Sequence, residues 1–469
     1  MPELARQIAR FAATVQRTGL EPALSEDASR RVLDVMGNSL AAHDEGPGAI
    51  VRAVVNEWQG PPMATIIGSG KRTSAIGASF VNGSLAHSLD FDDTHLPSVL
   101  HPSSTIVPAA LAAAQTTGAS GAELLAAVAV GDEICVRLGM AGFNEELGNS
   151  IFFDRGQHAT SICGAVAAAV SVAMLWGLNE EQTVSAIAIA ASMGSGLLEA
   201  NRTGGSVKRI HCGWAAHCAI TAVDLARHGL TGPPTVLEGR FGFFYAWCGP
   251  DADPQRVVKG LGSHWETPRI FFKPYPCNHF THAGIDAALY LRSRGLDPSD
   301  VVSIELGVPA PVLRTIAEPP ELKAAPPSGY AAAFSGPYTI AAALIGGGGL
   351  GVWLDDFTDE AARDPKRIAI AQKVTCVADE KATKTFPYQF PAVLSVVTRQ
   401  GATLSHRIEV TRGGPENPLS NDELLEKFRL GASRVLSTAS ASRLGEMVLD
   451  LHHVDSIDAL MAATAPDPK

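Results

Sequence analysis

The chain has 469 residues, 46% of them hydrophobic, 18% charged and only 6% aromatic. It exceeds the roughly 250–300 residues at which one hydrophobic core stops growing, so two domains are expected, with cores built from Ala, Val, Leu and Ile rather than rings. With 37 Lys+Arg against 48 Asp+Glu the formal net charge is −11, which excludes a broad phosphate-binding surface and hence nucleic acid as a partner.

Seven cysteines are scattered without a CxxC pair, so neither a disulfide framework nor a zinc ribbon is expected, and a reducing cytoplasm fits best. The opening MPELARQIARFAATVQR has no apolar core segment and reads as an amphipathic helix rather than a signal peptide. Up to about residue 265 the pattern is helical, with Ala-rich segments at Ala122–Leu138, Gly164–Trp176, Glu181–Met193 and Ala215–Arg227. Gly177, Gly229 and Gly232 read as helix stops, and Met63–Ile67 is the one strand expected here. Gly156 to Asn179 carries no formal charge. Gln157, His158, Thr160 and Ser161 make it a buried core helix rather than a membrane span.

After Trp265 the character changes. A helix at His282–Arg294 ended by Gly295 precedes a strand at Val301–Val308, a Pro-rich loop around Glu318–Ser328 and a helix at Ala331–Ile345. Strands at Ala392–Thr398 and Ala402–Val410 meet at Gln400-Gly401. Helical patterning resumes at Ser420–Ser437, with Ser420 and Glu423 in capping-box spacing, and at Ser440–Leu449. The expected organisation is therefore mainly α: residues 1–265 with 411–469 as a helical domain and 266–410 as a smaller α+β domain. Gly346-Gly347-Gly348-Gly349-Leu350-Gly351 closes a helix instead of opening one, which excludes a nucleotide loop.

Four segments carry candidate chemistry. Ala86-His87-Ser88-Leu89-Asp90-Phe91-Asp92-Asp93-Thr94-His95, followed by His101-Pro102-Ser103-Ser104, packs carboxylates and imidazoles that must be solvated, paired or used. The bland alternatives are that Asp92 and Asp93 cap a helix and that His95 is exposed. Gly156-Gln157-His158-Ala159-Thr160-Ser161 puts an imidazole at the mouth of the uncharged helix, either as a satisfied core group or as an acid–base. Lys208, Arg209 and His211 form a compact cationic group just before a helix, suited to carboxylates, or an ordinary basic turn. Lys273-Pro274-Tyr275-Pro276-Cys277-Asn278-His279-Phe280-Thr281-His282 holds histidines on a stiff loop. Zinc at His279 and His282 is the rival reading there, without an HExxH glutamate or a cysteine pair to support it.

Taken in order, these segments resemble the MmgE/PrpD family, whose activities include dehydration of 2-methylcitrate, decarboxylation of cis-aconitate and epimerisation of iminodisuccinate. The resemblance rests on Phe80-Val81-Asn82-Gly83, Asp90-Phe91-Asp92-Asp93-Thr94, His101-Pro102-Ser103, Gln157-His158-Ala159-Thr160-Ser161, Lys208 with His211-x-Gly213-x-Ala215-Ala216, Lys273-Pro274-Tyr275-Pro276 with His282, and Phe334-Ser335-Gly336-Pro337-Tyr338.

It implies a helical domain with an α+β lid, a homodimer, no metal or organic cofactor, and a small di- or tricarboxylate as substrate. Asp90, His101, His158, Lys208 and His282 are the implied catalytic residues, and Thr94, Lys208, His211, Lys273 and Tyr338 bind substrate. The implied reaction is proton transfer beside a carboxylate, dehydration of the 2-methylcitrate kind first, with decarboxylation or epimerisation as alternatives. A non-catalytic carboxylate-binding homologue is the reading from another class. The sequence departs from the family in having Leu96-Pro97-Ser98-Val99-Leu100 between His95 and His101, one residue longer than in some decarboxylase-type members.

Overall fold

A computed structural model describes residues 3–467 and resolves the chain into two compact units, residues 1–270 with 427–469 and residues 271–426. The protein is mainly α, with the smaller α+β part confined to the second unit. The changeovers fall a few residues after the expected 265 and well after the expected 410, so residues 411–426 lie with the smaller unit. Among the described residues no helix is long and apolar enough to cross a membrane.

The larger unit is built from α1 (Leu4–Thr18), α2 (Pro22–Ala41), α3 (Gly46–Trp58), α4 (Ala75–His87), α5 (Ser103–Thr117), α6 (Gly121–Ala141), α7 (Ala159–Leu175), α8 (Glu180–Met193) and α9 (His211–Arg227). Starts follow side-chain capping: Ser74 accepts from Gly77 N, while Ser120 with Glu123 and Asn179 with Gln182 form capping boxes. α7 is buried on every side, as its uncharged sequence requires. Gly177 (φ 67°) and Gly229 (φ 100°) end their helices in positive-φ conformations. Gly232 does not: a Cβ there would stand 2.3 Å from Ala188 Cβ, so its glycine answers to packing. The expected strand near Met63 shrinks to Ala64–Thr65, paired with Arg72–Thr73.

α9 packs on α4, α7 and α8. It meets α4 backbone to backbone: a Cβ on Gly213 would lie 2.2 Å from Phe80 O, and one on Gly83 would lie 2.8 Å from Gly213 Cα. Only paired glycines permit this approach, and it brings the end of α4, at His87, beside the start of α9, at His211.

In the smaller unit, α10 (His282–Ser293) and α11 (Gly336–Ile345) accompany a sheet of β1 (Val301–Val308), β2 (Val374–Ala378), β3 (Ala392–Thr398) and β4 (Thr403–Ile408), in the order β2-β1-β3-β4. β1 runs parallel to β2 and antiparallel to β3. The helix expected across Ala331–Ile345 is two, Gly329–Ala332 and α11. Ser335 caps the second by accepting from Tyr338 N, and Pro337 in its first turn offers no N–H to the first. α12 (Asn421–Ala432) starts at the expected capping box, Ser420 with Glu423, and α13 (Thr438–Leu449) follows.

Candidate active site

The larger unit gathers most of the implied site. The loop between α4 and α5 carries Asp90, Asp92, Asp93, Thr94 and His101. His158 stands at the N-cap of α7, Lys208 in the 3-10 turn Val207–Ile210, and His211 at the first position of α9. Their imidazoles form a row: ring centroids are 5.4 Å apart for His101 and His87, 5.4 Å for His87 and His158, and 5.0 Å for His158 and His211.

Each ring is oriented through Nδ1. His101 Nδ1 donates to the Asp93 carbonyl at 2.7 Å. Thr94 Oγ1 lies 3.4 Å from the same Nδ1, and His101 N donates to Thr160 Oγ1 at 3.1 Å. His87 Nδ1 donates to Asp92 Oδ2 at 2.7 Å, an oxygen that also accepts from Ser104 Oγ at 2.6 Å. His158 and His211 meet Nδ1 to Nδ1 at 2.9 Å. Burial, aided by His87 and Lys208, holds both rings neutral: His158 falls well below the usual imidazole range and His211 falls to about 4. His211 is therefore no part of a cationic group, which corrects the expectation from its basic neighbours.

Lys208 is the charged member, buried and bonded through Nζ to Asp90 Oδ1 at 3.1 Å. Asp90 adopts φ 52° and Val99 φ 53°. A β-branched residue in this region is strained, and Val99 sits in the long segment between His95 and His101, tied off by a bridge between His95 and Leu100. His95 is fully buried instead of exposed, bonded to Ser98 Oγ at 2.8 Å, and burial pushes it down to about 3.

Of the two residues expected as caps, Asp93 accepts from Ser103 N at the start of α5 at 3.3 Å, while Asp92 accepts from the Ser104 hydroxyl. Beneath the loop, Ser103 Oγ bridges Asp93 and Asp132, at 2.5 and 2.9 Å. Burial raises both carboxyls, Asp93 to about 7, so the pair holds a proton. Arg31 and the Lys427–Asp34 ion pair, at 2.6 Å, complete this buried layer.

The remaining implied residues belong to the smaller unit. Lys273 is buried. His282 is buried and donates from Nε2 to Cys277 O at 3.2 Å, and the Tyr338 hydroxyl donates to Asp356 O at 2.7 Å. Asp132 lies outside the segments singled out in the sequence, whereas His87, Ser103 and Ser104 lie within the first of them without an assigned role. A signal existed for Asp132, which with Glu133 and Arg137 interrupts the apolar Ala-rich run of its helix. For His87 it was only the five-residue step to Asp92.

Among the described residues, His87, Asp92 and Cys212 bring donor atoms within 4.8 Å of one another. Asp92 also accepts from His87, and burial pushes the Cys212 thiol up, so a cation there would have to displace the thiol proton. His279 and His282, with rings 4.9 Å apart, have no such third donor among the described residues.

Family models for the MmgE/PrpD N-terminal domain and the MmgE/PrpD C-terminal domain match residues 6–256 and 275–453. A cis-aconitate decarboxylase of Homo sapiens is 30% identical over 397 residues, 82% of this chain and 78% of its own. One from Aspergillus terreus is 27% identical over 421 residues, 86% and 84% of the two chains. A 2-methylcitrate dehydratase of Cupriavidus necator is 25% identical over 448 residues, 90% and 88%.

Proposed function

Since the chain belongs to the MmgE/PrpD family, an enzyme family, we propose that it is a metal- and cofactor-independent lyase that moves a proton beside a carboxylate of a small di- or tricarboxylate. One observation carries the reading: a row of imidazoles, two of them held neutral, lies next to the buried Lys208. Neutral imidazoles exchange protons at physiological pH, and a buried ammonium holds substrate negative charge where water cannot screen it. In this reading Lys208 anchors a carboxylate with Thr94, and His101 and His158 exchange the proton. Asp90 balances the lysine before substrate arrives.

Dehydration of a hydroxy tricarboxylate, as the name of the Cupriavidus necator relative states, is the first reading, because it needs an acceptor and a donor and the row supplies several imidazoles. Decarboxylation of cis-aconitate is the second, favoured by the identity to decarboxylases of Homo sapiens and Aspergillus terreus. Offering the purified protein 2-methylcitrate and cis-aconitate separately, with a chelator, and identifying the products by mass decides between them. Loss of water from the first or of carbon dioxide from the second is expected, and inertness toward all small polycarboxylates overturns both.

A cytoplasmic homodimer completes the proposal. None of the seven cysteines forms a disulfide, which suits a reducing compartment, and Trp58 and Trp214, packed about Phe80, offer exposed aromatic surface to a second copy.

A further inference from the structure

The Nδ1-to-Nδ1 contact between His158 and His211 constrains both rings at once. A 2.9 Å separation needs one proton between the two nitrogens. Two neutral imidazoles own one N–H proton each. The ring that donates from Nδ1 therefore has a bare Nε2, and the ring that accepts at Nδ1 carries its proton on Nε2. One member is a base and the other an acid in the same instant.

The surroundings keep the contact intact. His158 N donates to Gly196 O at 3.0 Å, and a Cβ on Gly196 would lie 3.1 Å from His158 Cβ and 3.3 Å from His211 Nδ1. Ser161 Oγ donates to His211 O at 3.1 Å, fixing the α9 side. Both rings begin long helices, whose N-terminal dipoles disfavour an imidazolium, as does Lys208.

We propose that His158 and His211 act as one proton-relay unit, which makes His211 a catalytic residue that exchanges a proton with the substrate. The inference rests on the proposed lyase activity and deepens it, with His211 taking the place of His101 as the partner of His158 in the proton exchange. In a dehydration the bare Nε2 takes the proton from the carbon beside the carboxylate, and the C–H electron pair forms the C=C bond as the C–O bond breaks. The Nδ1 proton crosses to the partner ring, whose Nε2 proton goes to the departing hydroxyl as water. The pair keeps its proton count and ends in the opposite tautomer, which exchange with water resets. The proton delivered is thus never the one abstracted.

The test uses histidine labelled with nitrogen-15 in the whole protein at pH 7, assigned through the single variants, together with turnover of the substrate that the wild type accepts. A coupling transmitted between the two Nδ1 nitrogens, with the rings in opposite tautomers, is expected. His158→Phe and His211→Phe are each expected to lower kcat at least 100-fold, and the double variant no further, because members of one unit are not additive. Absence of the coupling, two rings in the same tautomer, or losses that multiply in the double variant overturn the relay while leaving the lyase reading in place. A wild type inert on every carboxylate overturns the lyase reading and the relay with it, even where the coupling is present.

Discussion

Lys208 Nζ and Asp90 Oδ1 stand 3.1 Å apart across 118 residues of sequence, both buried, with Asp90 held at φ 52°. A buried ammonium left without a counter-charge is costly, so the carboxylate keeps the site folded until a substrate carboxylate arrives. Lys208→Met is expected to abolish turnover and also to destabilise the fold, because it strands Asp90. Adding Asp90→Asn is expected to restore melting temperature but not activity. Recovery of activity in the double variant would remove the lysine from substrate binding.

The Asp92 carboxylate satisfies His87 Nδ1 and Ser104 Oγ together in the core. Asp92→Ala leaves both donors unpaired and is expected to cost about 1–3 kcal/mol of stability for each, the penalty of a buried hydrogen-bonding group without its partner. Asp92→Asn, which keeps one acceptor oxygen, is expected to cost less. Chemical denaturation of the two variants separates these outcomes.

Acid sensitivity follows from the depressed imidazoles. His95 is pushed to about 3 and His211 to about 4, while in the unfolded chain each returns to the ordinary imidazole value of 6.5. Between those limits the unfolded state binds more protons. The histidine contribution to stability is therefore complete above pH 6.5 and declines as pH falls toward the folded values, opposed by the raised Asp93 and Asp132 carboxyls, which bind protons in the folded state. The contribution of His95 is read from the difference between wild type and His95→Gln in thermal melts from pH 7.5 to 4, and the stability of wild type is expected to fall relative to the variant as pH is lowered.

The α4–α9 contact yields a packing test. Gly213→Ala drives a methyl to 2.2 Å from Phe80 O, whereas Gly46→Ala meets nothing within 4 Å. The first is expected to cost about 1–3 kcal/mol and to reduce turnover by displacing His211; the second is expected to do neither. Equal melting temperatures would show that the helices separate without penalty.

The fold was legible wherever local chemistry decided it. Val301–Val308 and Ala392–Thr398 were delimited by alternation and turn residues, and the Ser420–Glu423 capping box marked the start of α12. β2 was not legible, because the short Val374–Ala378 is defined by its parallel pairing with β1 rather than by its own pattern. The break before α11 was written in Ser335-Gly336-Pro337 but hidden by the apolar run around it. In the site, motif order identified Lys208, His101 and His158. Which nitrogen of each ring is occupied depends on partners distant in sequence, such as His211 for His158, and on burial that lowers their proton affinity.

The most direct test of the central claim is a proton NMR time course in D2O with purified protein, a chelator, and 2-methylcitrate, citrate, cis-aconitate and iminodisuccinate supplied one at a time. Loss of a C–H signal beside a carboxylate, or deuterium at that carbon in the product, is expected for one of them, and to vanish in Lys208→Met. If every substrate retains its C–H signals, the protein performs no proton transfer beside a carboxylate on these acids, and the account is contradicted in favour of a carboxylate-binding homologue without catalysis.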